Sequence, residues 1–210
     1  YNVAIGDNAG ANVTTATRNT LIGGLAGDAL TDADFNVSLG YQSLSSDTLG
    51  SKTVAIGTGA LQFNTTASNN TAVGKNALAV NTTGPSNVAV GHAALTANTT
   101  GDQNVAIGDS ALADCTTGEK NVGVGTYNQN NLTTGARNTS IGNYAMGVGI
   151  ITGSNNVAIG DNSTSKLTSG SSNVAVGATS LFNITTGSNN VAVGLDCLLY
   201  TSDAADDVNG

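Results

Sequence analysis

Along this chain a five-residue pattern of polar, aliphatic, small, aliphatic and glycine positions recurs at an almost constant interval. It opens as Asn-Val-Ala-Ile-Gly at Asn2 to Gly6, and its copies end on Gly6, Gly23, Gly40, Gly57, Gly74, Gly91, Gly108, Gly125, Gly142, Gly160, Gly177 and Gly194. Ten of the eleven intervals are 17 residues, and the one of 18, between Gly142 and Gly160, carries an extra residue near Gly147 to Ile151. The first position is Asn in every copy but one, where Thr53 replaces it; the second is Val or Thr, and the fourth Ile, Val or Leu. The third is Ala4, Ala55, Ala72, Ala89, Ala106, Ala158, Ala175 and Ala192 in eight copies, with Ser38, Gly123 and Ser140 in three more and Leu21 as the misfit. Ala-Leu follows at the eighth and ninth positions in several copies, and Asn-Thr-Thr-Gly closes the clearest ones.

A period of this length marks a stacked repeat rather than a single globule. Side chains two apart share one side of a pleated strand, so the pentapeptide predicts a short strand with one aliphatic and one small side. Gly, Asn, Thr and Val are poor helix residues. The invariant Gly predicts a corner that needs positive φ or close backbone approach. Each unit therefore reads as strand, turn, second short strand, turn, and the whole as an all-β parallel β-solenoid, or β-roll, of about twelve coils over residues 2–194. One coil orders 17 residues at about 1–2 kcal/mol each for the backbone alone. It gains only about 1.5–3 kcal/mol per large aliphatic side chain. Stability must come from coil on coil, and parallel stacking predicts a ladder of first-position Asn side chains along the axis. At ~4.8 Å per strand, twelve coils make a rod of roughly 55 Å.

The buried side of each strand is expected to be the aliphatic one, with positions two and four in the core and position three outside. An insertion within a strand would flip every later side chain, so the extra residue near Gly147 to Ile151 is expected at a corner.

Composition narrows the function classes. Charged residues make up 10% of the chain and the net charge is −8, which leaves no basic patch for nucleic acid. No stretch approaches the ~18–20 apolar residues of a membrane helix. Cys115 and Cys197 are far apart and share no repeat position, so they form neither a disulfide framework nor a zinc site. His92, the single histidine, reads as a solvated turn residue. Asp7, Asp109 and Asp161 follow corner glycines in coils that are not adjacent, which does not pair carboxylates for catalysis. Asp28, Asp32 and Asp34 form the one acidic cluster, at a spacing that matches no calcium loop. Fragments such as Gly123-Val124-Gly125 are corners and not a dinucleotide fingerprint. No catalytic residue, metal ligand or cofactor is expected.

The pentapeptide with its corner glycine resembles the head repeat of YadA-like trimeric autotransporter adhesins. The 17-residue version with Ala-Leu and Asn-Thr-Thr-Gly resembles repeats of bacteriophage tail fibres and related bacterial surface proteins. The resemblance covers about residues 2–194. It implies a left-handed roll, a homotrimer, an extracellular, cell-surface or virion location, and a host receptor or glycan engaged through other domains. It carries over no catalytic residue. Residues 195–210 leave the repeat, and Cys197 to Asp207 resemble translated sequencing adaptor; without that segment's three aspartates the net charge falls from −8 to −5. Opening inside a repeat without a leader, the chain reads as a stretch of a longer fibre.

The expected function is a non-catalytic structural and adhesive shaft involved in attachment. An ice-binding solenoid with stacked Thr ranks is one alternative. A polysaccharide-degrading β-helix is another, although no carboxylate pair recurs on one face. With small side chains expected outside, the row from Ala4 to Ala192 is the expected trimer face.

Overall fold

The computed structural model describes residues 1–147 and 149–199. It is a parallel β-solenoid of twelve three-residue strands: β1 (Val3–Ile5), β2 (Thr20–Ile22), β3 (Val37–Leu39), β4 (Val54–Ile56), β5 (Thr71–Val73), β6 (Val88–Val90), β7 (Val105–Ile107), β8 (Val122–Val124), β9 (Thr139–Ile141), β10 (Val157–Ile159), β11 (Val174–Val176) and β12 (Val191–Val193). They form one parallel sheet in sequence order. Each pairs with the next in identical repeat register, as in Val88↔Val105, Ala89↔Ala106 and Val90↔Ile107. No helix occurs among the described residues.

The expected facing of the strands is inverted. Ala106 is fully enclosed, whereas Val105 is half-buried and Ile107 is 40% exposed. The third position, small in every strand but β2, faces the core from β2 to β12, and the second and fourth positions face outward. The reason is space. The core of each coil already holds the eighth and ninth residues, such as Ala94 and Leu95, both fully buried. Opposite a Leu, only a small side chain fits.

Leu21 demonstrates this complementarity. It is buried at the third position, and the ninth positions beside it are Gly10 and Gly27, where an added Cβ would lie 2.8 Å from Leu21 methyl carbons. The large and small residues have exchanged places. Because interiors are close-packed, Ala106→Leu is expected to lower unfolding stability by about 1–3 kcal/mol or more. Urea unfolding of this variant beside Val105→Leu, where the side chain points outward and the effect should be within about 0.5 kcal/mol, checks the facing.

The second short strand is not formed. The Ala-Leu segment runs through a turn in which positions seven and nine are left-handed, as at Ala93 (φ 53°) and Leu95 (φ 53°); position seventeen is also left-handed, as at Gln103 (φ 56°). Each such non-glycine residue costs roughly 1–2 kcal/mol locally. Alternation lets the turn bond in both directions: the Ala93 N–H donates to Lys75 O of the coil before at 2.9 Å, and the Leu95 N–H to Ala111 O of the coil after at 2.9 Å.

The Asn ladder is present, and a main-chain donor joins the amide-to-amide bonds that some coils make, as from Asn121 Nδ2 to Asn104 Oδ1 at 3.1 Å and from Asn173 Nδ2 to Asn156 Oδ1 at 3.0 Å. Each first-position Asn side-chain oxygen accepts the main-chain N–H of its counterpart one coil on, as in Asn104 N–H to Asn87 Oδ1 and Asn121 N–H to Asn104 Oδ1, both 2.9 Å. Its Nδ2 donates to the carbonyl at the coil's far end, as from Asn104 to Gly118 O at 2.8 Å. One side chain thus closes its own coil and tethers the next.

The extra length lies outside the strands, as expected. β9 and β10 keep their register, and Leu132 bridges Ile151, two residues beyond the usual spacing. The following turn then carries Thr152 alone between Ile151 and Gly153, where other coils have two residues. Val148 in this segment and residues 200–210 of the tail lie outside the described residues. Leu195 to Leu199 follow the turn geometry of earlier coils: Asp196 and Leu198 are left-handed, and Cys197 O accepts the Leu181 N–H at 2.9 Å.

Candidate assembly face

Turning the strands inside out creates the most distinctive surface of the molecule. Positions two and four of twelve strands make two adjacent outward rows, one from Val3 to Val191 and one from Ile5 to Val193. Only Thr20, Thr71 and Thr139 interrupt them, and no charged residue occurs in either. Mid-sheet members such as Val88 and Val90 are shielded by their neighbours along the rod and remain half-exposed. A solvated strand face ordinarily carries Lys, Glu or other polar guards against sheet association. With ~4.8 Å per strand and roughly 10 Å of width, the two rows span on the order of 500 Å², comparable with the largest apolar patch of an ordinary monomer, a patch that is itself often functional.

The Ala row assigned to the trimer face in the sequence is therefore corrected. Ala55, Ala72, Ala89, Ala106, Ala158, Ala175 and Ala192 are enclosed within their own coils and can contact no partner; Ala4, in the end strand β1, is exposed. The corner glycines sit where expected. All twelve, from Gly6 to Gly194, have φ between 129° and 142°.

The His92 imidazole meets the Asp109 carboxylate of the next coil at 2.9 Å, with both side chains largely in solvent. Asp7 and Asp161 are exposed on coils distant from that pair. In the acidic cluster, Asp32 accepts the Thr15 hydroxyl at 2.6 Å and Asp34 accepts the Thr17 N–H at 2.5 Å. The Thr17 N–H, then its hydroxyl, holds the Asp34 carboxyl below its ordinary range. No group of three or more metal-ligating side chains converges among the described residues. Cys115 and Cys197 are free thiols, and burial pushes Cys115 up to about 12. The first Thr of each closing turn donates its hydroxyl along the rod, as from Thr82 to Thr99 O at 2.9 Å, while Thr83 and its counterparts are exposed.

One buried titratable group escaped the sequence reading. Asp47 is fully buried at the twelfth position of its coil, and burial raises its carboxyl to about 6. Position twelve is Leu30, Asp47, Asn64, Asn81, Asn98, Cys115 and Leu132 in successive coils, all fully buried. The recurrence of aliphatic residues there was the available signal that its polar members are interior.

No protein-family model, curated protein or solved structure matches this chain.

Proposed function

We propose that this chain is a non-catalytic shaft segment of an extracellular fibre, at a bacterial surface or in a virion tail, that holds attachment domains away from the surface bearing it. The observation that carries this reading is the pair of outward, uncharged and mostly aliphatic rows on a rod built from one repeated coil. A lone rod would expose these rows to water along its whole length. Three rods turned face inward bury them around a common axis, and burial stabilises by roughly 25 cal/mol per Å² of apolar surface removed. The homotrimer and the left-handed coil follow from the resemblance to trimeric adhesin heads. The second and fourth strand positions, not the alanines, form the contact. Receptor or glycan recognition belongs to other domains of the fibre.

Analytical ultracentrifugation of the purified chain is expected to show a trimer. The double variant Val105→Glu, Ile107→Glu should sediment as a monomer with an unchanged far-ultraviolet circular dichroism spectrum, because both side chains point away from the coil core. A monomeric wild-type chain would reject the assembly.

A further inference from the structure

Inside the rod, position twelve carries a second polar ladder that the shaft function does not use. The Asn98 Nδ2 donates to Asn81 Oδ1 at 2.7 Å, Asn81 Nδ2 to Asn64 Oδ1 at 2.9 Å, and Asn64 Nδ2 to the Asp47 carboxylate at 3.0 Å. All three amides point their donors toward Asp47, which ends the ladder because Leu30 occupies the rung before it. On the other rungs the side chain also supplies a donor to its own turn: Asn81 Nδ2 reaches Gly84 O at 3.0 Å and Asn98 Nδ2 reaches Gly101 O at 2.9 Å. Ionised Asp47 can only accept, from Asn64 and from the Gly50 N–H at 2.8 Å. Protonated, it regains a donor and becomes the chemical counterpart of the asparagines on the following rungs.

No cation offsets the charge. The coil before carries Asp28, Asp32 and Asp34, its own coil carries Lys52, and the coil after, residues 53–69, carries no charged side chain. None of these contributes to the behaviour of Asp47, which burial raises against the hydrogen bonds from Gly50, Asn64, Leu49 and Thr48.

We propose that the seam between the third and fourth coils is a pH-sensitive joint: protonated Asp47 completes the buried amide ladder and closes the joint, and ionised Asp47 loosens it. The direction follows from linkage. Burial favours the neutral acid in the closed coil, so its cohesion is complete below the ordinary carboxylate range near 3.8 and is lost as pH rises through about 6. The rod is thereby tightest at this point in acid, and most easily opened in neutral and alkaline solution.

Hydrogen exchange of the intact chain, read by mass spectrometry on peptides covering residues 44–52 and 61–69 and corrected for the intrinsic pH dependence of exchange, tests the joint. The opening equilibrium is expected to rise on the order of fiftyfold between pH 4 and pH 8 in the wild type. Asp47→Asn should remove this dependence and leave the peptides equally protected at both values, because its oxygen still accepts from Asn64 and the side chain no longer titrates, although the Gly50 N–H loses its acceptor. Peptides covering residues 104–118 serve as the internal reference. A wild-type dependence no larger than that of the reference peptides, or the same dependence persisting in Asp47→Asn, would overturn the proposal.

Discussion

Replacing Gly91 by Ala is expected to cost about 3–6 kcal/mol of unfolding stability, from backbone strain together with steric overlap. Gly91 has φ +139°, and a Cβ placed on it would lie 2.3 Å from Gly108 O and 2.6 Å from Gly108 C. The obstacle is the backbone of the next coil, so no side-chain rotation relieves it. Separating the coils would strain the hydrogen bonds that flank the corner, in which Gly91 N–H donates to Val73 O and Gly108 N–H to Val90 O, both 2.8 Å. Gly24→Ala is the matched comparison: Gly24 lacks a positive φ, and the nearest atom to its Cβ would be a Tyr41 ring carbon at 3.4 Å. Urea unfolding should show a large fall in midpoint for Gly91→Ala and little change for Gly24→Ala. Equal midpoints would contradict the close approach at the corners.

The second large loss is expected from Asn87→Ala. That side chain accepts the Asn104 N–H at 2.9 Å, and its Nδ2 donates to Gly101 O at 2.9 Å and to Gly84 O at 3.2 Å. Truncation leaves a buried N–H without its acceptor and two carbonyls short of a donor. At about 1–3 kcal/mol for a stranded buried polar group, with smaller losses for the remaining bonds, the total is about 3–5 kcal/mol. The damage should extend across the seam, because the one amide closes its own coil and tethers the next. Thermal unfolding monitored by circular dichroism should place Asn87→Ala well below Thr83→Ala, whose side chain is exposed. A shift no larger than that of Thr83→Ala would mean the ladder contributes little.

The period, the parallel register, the strand positions and the corner glycines were legible because stacking superposes each residue on its counterpart one repeat away. A near-constant interval between like residues is the record of that superposition, and the invariant glycines mark a place where adjacent backbones come within a Cβ radius, as the closing-turn glycines Gly84 and Gly101 also do. The ladder of first-position asparagines was legible for the same reason, since only coil on coil can satisfy a buried amide at every repeat. Position twelve was less readable: Asn-Thr-Thr-Gly looks like an ordinary surface turn, and only Leu30, Leu132 and Leu167 on the same rung elsewhere signal that its Asn is interior.

What the sequence by itself determined was the repeat, its all-β stacking and where each strand lies; which side of each strand faces inward was decided only by the tertiary structure. A three-residue strand reading aliphatic, small, aliphatic satisfies either facing, and the usual preference for burying the bulkier side selects the wrong one. The turn that follows delivers a Leu into the same narrow lumen, through left-handed residues such as Leu61, Leu78 and Leu95 that turn chemistry alone would assign to Gly or Asn. Once that Leu and the ladder amides occupy the coil, the remaining volume admits Ala and excludes Val and Ile. The aliphatic residues are therefore turned outward, and a face that looked like core becomes the surface available to a partner.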